Sequence, residues 1–140
     1  SLIGAEVLSE TVEKISQGTA PRVPQEDALS SYAPMLDKEM AKIPWDKTAD
    51  EVHNLIRGMN PWPIAHTSLR GELLKVYRSS LAAGSGDPGT VLNTTKSGLV
   101  VACGEGAVEL TELQAQGGKR MRAVDYLRGH PVENGTKLGE

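Results

Sequence analysis

Three histidines, one cysteine and a short run of carboxylates are the residues of this chain best suited to acid–base or covalent chemistry. None has the partners that such chemistry needs. General acid–base work requires a carboxylate or nucleophile held within hydrogen-bond reach of the histidine. His53 lies beside the apolar stripe of a helical segment, His66 alternates within a strand-like segment, and His130 follows a helix stop. With no constellation around them, all three read as packing or surface residues. Cys103 ends the apolar run Leu99-Val100-Val101-Ala102-Cys103 and reads as a small buried hydrophobe in a strand. A single thiol forms no intrachain disulfide, and no metal-ligand spacing surrounds it. Asp46, Asp50 and Glu51 read as capping and first-turn acids at the positive end of a helix. Trp45, Trp62 and Tyr77 offer faces on which bases could stack. The chain has no Phe, however, so these aromatics are scarce core material. Trp62, between two prolines just past a helix, is expected to lock that helix onto the sheet, with Trp45 acting from the other side.

The cations remain. The chain of 140 residues carries 15 Lys and Arg against 18 Asp and Glu, a formal charge of −3. The excess acid lies entirely in residues 1–34, and residues 35–140 are neutral. A neutral segment can still carry a basic face, and Lys119-Arg120-Met121-Arg122 hints at one. Lys and Arg recognise phosphate without reading sequence. Lys119, Arg120 and Arg122 are expected in a loop and at the start of a short helix, with their heads free. Lys75 and Arg78 are three apart in one strand, so strict alternation sends them to opposite faces. Lys38 and Lys42 lie one helical turn apart if their segment is helical.

The elements that would position these residues follow from periodicity. Leu8, Val12 and Ile15 recur at helical spacing and Gly18 supplies a stop, which gives an amphipathic helix over Ala5 to Gln17 whose apolar stripe needs a partner surface. Thr19 to Ser31 contains Pro21 and Pro24 and reads as an extended linker. It continues to about Ile43, with a short helical turn over Leu36 to Lys42. Thr48 and Glu51 form a capping box ahead of Val52, Leu55, Ile56 and Met59, one buried helical stripe. The period then changes to that of strands: Ile64 to Leu69, Glu72 to Leu81, Gly89 to Thr94, Leu99 to Cys103 and Ala107 to Leu113. A short helix over Arg122 to Leu127 and a last strand over Val132 to Leu138 complete the chain. The class is mainly β with short helices: a small β-barrel whose closure removes exposed edges, preceded by a helix and linker. No apolar run approaches the roughly 20 residues that span a bilayer, so no membrane partner is expected. No signal peptide is visible, and the helical start without Met reads as a fragment of a longer chain.

Several ordered motifs resemble one family. They are Ile43-Pro44-Trp45-Asp46, Arg57-Gly58-Met59-Asn60-Pro61-Trp62-Pro63, Pro88-Gly89-Thr90-Val91, Val101-Ala102-Cys103-Gly104-Glu105-Gly106, and Glu112-Leu113-Gln114 through Gly118-Lys119-Arg120-Met121. In order and spacing they resemble the C-terminal domain of the methionyl-tRNA formyltransferase family. Ala5 to Gln25 resembles the end of that family's catalytic domain. The resemblance implies three segments. Residues 1–18 would be the last helix of a Rossmann-like formyltransferase domain, 19–43 a linker, and 44–140 an OB-fold-like barrel. It implies an enzyme that moves a formyl group from 10-formyltetrahydrofolate, its substrate, to the methionyl amine of initiator tRNA. The catalytic Asn, His and Asp of that family fall outside this chain, so the fragment is expected to be inactive and to hold no cofactor. The implied partners are initiator methionyl-tRNA and the N-terminal catalytic domain, with a monomeric state. The implied location is the bacterial cytoplasm, or the matrix of a mitochondrion or plastid. The tRNA-binding set carried over is Lys38, Lys42, Lys75, Lys119, Arg120 and Arg122. Where the family often places a lysine after Tyr32-Ala33-Pro34, this chain has Met35, which leaves Lys38 or Lys42 to serve instead or the chain to bind with fewer contacts. Two other roles fit the same residues: a barrel that only orients its catalytic domain, and the equivalent domain of a sugar-nucleotide formyltransferase.

Overall fold

The computed structural model describes residues 2–140. It divides into two units, Ser1–Pro34 and Met35–Glu140. In the first unit, α1 (Leu2–Ser16) begins a turn earlier than the apolar spacing implies. It stops where Gly18 predicts. Gly18 adopts φ +69°, its N–H donates to the Ile15 carbonyl at 3.0 Å, and the Thr19 N–H donates to the Lys14 carbonyl at 2.9 Å. This pair of hydrogen bonds over a left-handed glycine satisfies carbonyls that the helix end would otherwise leave open. None of the α1 side chains is buried, so the Leu8, Val12 and Ile15 stripe lies exposed. Beyond α1, the described residues of this unit form a 3-10 turn at Asp27–Leu29.

The second unit is a curled antiparallel sheet. Its strands are β1 (His66–Leu69), β2 (Glu72–Ala82), β3 (Val91–Thr94), β4 (Leu99–Ala102), β5 (Ala107–Ala115) and β6 (Met121–Arg122). The order is β1-β2-β5-β4-β3, with β6 also on β5. β5 is the spine. It pairs with β2 along its whole length, and its other edge takes β4 at residues 107–110 and β6 at 112–113. β6 is only two residues long and carries no periodic signature, so the sequence pattern gives it to the following helix. That helix, α3, spans Ala123–Gly129.

α2 (Ala49–Gly58) packs on β2 and β5 through the buried Val52 and Ile56. Its capping box forms as the sequence implies. The Glu51 N–H donates to Thr48 Oγ1 at 3.3 Å and the Thr48 N–H donates to Glu51 Oε2 at 3.0 Å. Residues 35–43 lie in this unit: Ala41 is fully buried, and the Ile43 N–H donates to the His66 carbonyl at 2.9 Å. The helical turn expected near Lys38 is a 3-10 turn at Glu39–Ala41.

The two tryptophans part company. Trp45 is 7% exposed and its Nε1 donates to the buried Thr67 Oγ1 at 3.0 Å, so it anchors the sheet as expected. Trp62 is 56% exposed and locks nothing. The chain turns sharply after α2, with cis bonds before Pro61 and Pro63, and the burial expected of Trp62 falls to Ile64 and Ala65 instead. Cys103 is buried, and loss of solvation pushes its thiol up to about 11, as befits a packing residue.

The expected last strand is replaced by a strap. Residues 135–139 cross the sheet's two open edges rather than running along one. The Gly135 N–H donates to the Val91 carbonyl and the Val91 N–H to the Thr136 carbonyl, both at 2.8 Å. Leu138 N–H then reaches the Gly89 carbonyl and Gly139 N–H the Ser68 carbonyl, at 2.8 and 3.0 Å. Single bridges therefore link Lys137 to Thr90 beside β3 and Leu138 to Leu69 in β1. Gly89, at φ +82°, permits this approach: a Cβ there would lie 2.8 Å from the Leu138 carbonyl oxygen. Such a strap protects the strand edges that invite aggregation.

Leu138 is 2% exposed within the core cluster. Leu138→Ala should therefore cost about 2–5 kcal/mol of stability, as buried large-to-small changes do. Thr48→Ala, which removes one cap, should cost about 1 kcal/mol. Urea denaturation of the two variants checks this ranking, and the reverse order would show that the strap contributes little.

Candidate nucleic-acid interface

The outer face of the sheet is set by an irregularity in the β2–β5 ladder. Val76 pairs with Leu113 and Arg78 with Glu112, so Tyr77 is an extra residue on β2. Ser79 then pairs with Leu110, so Thr111 is an extra residue on β5. Each extra residue flips the alternation once, and together they restore the register. Before the shift, Leu74 and Val76 point inward and Lys75 outward. Across the shift, Tyr77 and Arg78 both leave the core, and the buried positions on β5 run from Leu110 to Leu113, three apart. The strict alternation that separated Lys75 from Arg78 therefore fails. The paired bulge brings both onto the outer face.

A chain of contacts ties that face together. Lys75 pairs with Gln114, whose Oε1 accepts from the Tyr77 hydroxyl at 2.6 Å. The Arg120 guanidinium lies 4.4 Å over the Tyr77 ring. Arg120 donates Nε and Nη2 to the two oxygens of Glu112 at 2.7 and 2.8 Å, and Arg78 Nε lies 3.3 Å from Glu112 Oε2. Beyond Glu112 a concavity of about 520 Å³ is lined by Arg78, Lys96, Ser97, Thr111 and Arg122. On the other flank, Lys38 and Lys75 line a concavity of about 360 Å³ with Glu39 and His66.

Of the six expected contact residues, the fold brings Lys38 and Lys75 together on one flank, with Arg120 and Arg122 around Glu112. Lys42 lines a different concavity, beside Lys137 and Trp45. Lys119 is exposed in the loop before β6 and makes no ion pair among the described residues. The expectation of free heads at Arg120 and Arg122 fails. Arg120 is forked onto Glu112, and Arg122 onto Asp125 at 2.8 and 3.2 Å. β6 explains this, because its pairing sets Arg122 opposite Glu112 and turns the loop back over β5. Arg78, which strict alternation set on the opposite face from Lys75, and Lys96, which was not among the expected residues, also belong to the face. The odd spacing of Leu110 and Leu113 is the signal of the bulge that recovers Arg78. Lys96 carries no local signal, since its place depends on how the sheet curls.

Of the remaining candidates, His53 meets a hydroxyl and His130 an aromatic ring, and neither ring is hydrogen-bonded to a carboxylate among the described residues. His53 Nδ1 lies 2.9 Å from Ser79 Oγ, and His130 stacks on Tyr126 with centroids 4.6 Å apart. No group of His, Cys, Asp and Glu among the described residues could hold a metal ion. Among the described residues, no helix is long and apolar enough to cross a membrane.

Fold and surface together define a small, mainly β domain whose outer face gathers several cations. Residues 35–131 match the family described as the formyl transferase C-terminal domain, and the chain belongs to that family. It is 45% identical over 139 residues to a methionyl-tRNA formyltransferase of Geobacter metallireducens, covering 99% of this chain and 45% of that protein. It is 49% identical over 138 residues to one of Trichlorobacter lovleyi, covering 99% and 44%. The chain thus spans less than half the length of these curated relatives. Among solved structures, a variant of HypX from Aquifex aeolicus superposes with a TM-score of 0.62 at 17% identity, over 92% of this chain and 24% of that one. At that identity the likeness concerns the fold alone.

Hydrogen bonding from Arg120, helped by the charge of Arg78, holds the Glu112 carboxyl below its usual range, and Arg122 does the same for Asp125. A depressed carboxylate contributes stability above its unfolded value, about 4.3 for Glu, and loses that contribution as pH falls through the folded value. The stability gap between the wild type and Glu112→Gln should therefore be widest near neutral pH and shrink as pH falls below about 4. Thermal melts from neutral pH down to about pH 2 measure the gap. A gap that is constant with pH would show that the pair does not couple to folding.

Proposed function

We propose that this chain is the tRNA-binding C-terminal part of a methionyl-tRNA formyltransferase. The whole enzyme would transfer a formyl group from 10-formyltetrahydrofolate to the methionyl amine of initiator tRNA. The observation that carries this reading is a cationic outer face built on a neutral domain of the right family. Its cations line two flanking concavities around the Tyr77–Arg120–Glu112 cluster. The family membership and the named relatives support the enzyme class. The charge placement supports RNA, because recognition of folded RNA rests largely on phosphate and shape contacts.

In this reading the chemistry belongs to the catalytic domain, and this chain contributes affinity and orientation. Phosphate contacts position a nucleic acid without specifying its sequence. The isolated chain should bind initiator tRNA weakly and discriminate little between tRNAs. The residues proposed for contact are Lys38, Lys75, Lys119, Arg120 and Arg122, joined by Arg78 and Lys96, with Lys42 at the margin. The working protein would be a cytoplasmic monomer with the catalytic domain and initiator methionyl-tRNA as partners. In this reading the curled sheet is an OB-fold-like barrel, although the binding face proposed here rests on the charges of this chain.

Fluorescence anisotropy with initiator tRNA across a salt series tests the reading. Affinity should fall as salt rises, with a log–log slope of roughly −2 to −4 if three or four phosphates are neutralised. Lys75→Glu with Lys96→Glu should weaken binding about tenfold or more at low salt. No binding at low salt, or a response flat to salt, would overturn the phosphate-contact reading. An unaffected double variant would leave the barrel an orienting role only.

A further inference from the structure

Arg120 is held by two partners, one of them itself held in place. Its Nε and Nη2 are forked onto Glu112, its plane lies over Tyr77, and Tyr77 is itself pinned. The Tyr77 hydroxyl donates to Gln114, and Gln114 Nε2 donates to the Gly118 carbonyl at 3.0 Å, in the loop that leads back to Arg120. Glu112 is recessed, with 22% side-chain exposure, below Arg78 at 72% and Arg120 at 44%. A guanidinium has five N–H donors, so a carboxylate that takes two leaves the others to face outward. The arrangement recurs next door, where Asp125 holds Arg122 at 2.8 Å and Arg128 at 2.9 Å. Two carboxylates thus each gather two arginines, and the Glu112–Arg122 pairing of β5 and β6 sets the clusters side by side.

Exposed ion pairs of this kind contribute little stability. On a surface that meets a polyanion, a carboxylate is also a repulsive charge. Glu112 has a use there only if the order it imposes on the arginines outweighs that repulsion. We infer that Glu112 is a positioning residue for RNA binding: its carboxylate fixes Arg78 and Arg120 as a guanidinium pair whose outward N–H groups take phosphate oxygens of the RNA backbone. This rests on the tRNA reading above. The ordering of rotamer-rich side chains is then complete before RNA arrives, which removes a cost that binding would otherwise meet.

The sign of one substitution separates positioning from bulk electrostatics. Glu112→Gln and Glu112→Ala each delete a negative charge, so bulk electrostatics has them bind tRNA more tightly. Positioning has them bind more weakly, by about fivefold or more, since each ordered arginine is worth roughly two- to tenfold. Glu112→Asp should recover part of the loss. Arg120→Lys keeps the charge but loses the fork and should weaken binding as well. The measurement is anisotropy of the 140-residue chain with initiator tRNA over a salt series, at a temperature where circular dichroism shows every variant folded. The salt slope of Glu112→Gln should be shallower by about one phosphate contact. Glu112→Gln binding as tightly as the wild type, or more tightly, overturns this inference and leaves the tRNA reading intact. Absence of wild-type binding at low salt overturns both. If Glu112→Ala fails to fold, Glu112→Gln and Arg120→Lys carry the decision.

Discussion

The β2–β5 ladder is the constraint on which the rest of the domain depends. β5 is the strand that joins the two halves of the sheet, with β2 on one edge and β4 and then β6 on the other. A slip of one residue in such a ladder would exchange core and solvent faces along its whole length. The fold admits one extra residue on each strand, Tyr77 and Thr111, so the exchange is local and cancels. Leu74, Val76, Val108, Leu110 and Leu113 all remain buried. The displaced residues, Tyr77, Arg78 and Glu112, become the centre of the outer face. The same irregularity that keeps the core intact therefore builds the candidate interface.

Charge on this domain is a matter of placement rather than amount. Residues 35–140 carry equal numbers of cations and anions. A uniform scatter of those charges would leave no field for a polyanion to find. Instead Glu112 and Asp125 are each surrounded by two guanidiniums, and Arg78, Lys96 and Arg122 converge on one concavity. The side chains gathered by carboxylates are arginines, and the lysines stand apart from them. This matches their chemistry, because a planar fork can bind a carboxylate on one side and still present donors on the other, whereas an ammonium is a mobile point charge.

What the sequence discloses and what it hides divide by range. Features set within a few residues are legible: the Thr48–Glu51 box, the Gly18 stop, the alternation of Leu74 and Val76, and the packing role of Cys103. Each depends on neighbours that the chain supplies locally. The elements missed depend on distant partners. β6 exists only because β5 offers an open edge at Glu112 and Leu113, and the C-terminal strap exists only because β1 and β3 leave two edges to cover. Trp62 looks like an anchor by composition, but the turn through Pro61 and Pro63 commits Ile64 and Ala65 to the core in its place. The cationic face combines both kinds. Lys75, Arg120 and Arg122 are visible as charges, Arg78 is recoverable from the odd spacing of Leu110 and Leu113, and Lys96 requires the curl of the sheet.

The strap and the face are linked by what each leaves unoccupied. Because Lys137 and Leu138 close the edges of β1 and β3 with single bridges, no added strand is needed to cover them. The outer surface of β2 and β5 is left to carry side chains alone. Phosphate contacts carry no sequence information, so a surface of this kind can select a partner only through the spacing and fixity of its cations. Fixity is what Glu112, Tyr77 and Gln114 impose on Arg120, and Glu112 also holds the Arg78 head, whereas the ladder sets only the face on which Lys75 and Arg78 stand. In the proposed reading, a neutral domain of this build would orient a polyanion by immobilising a few cations, where a strongly basic one would attract it without orienting it.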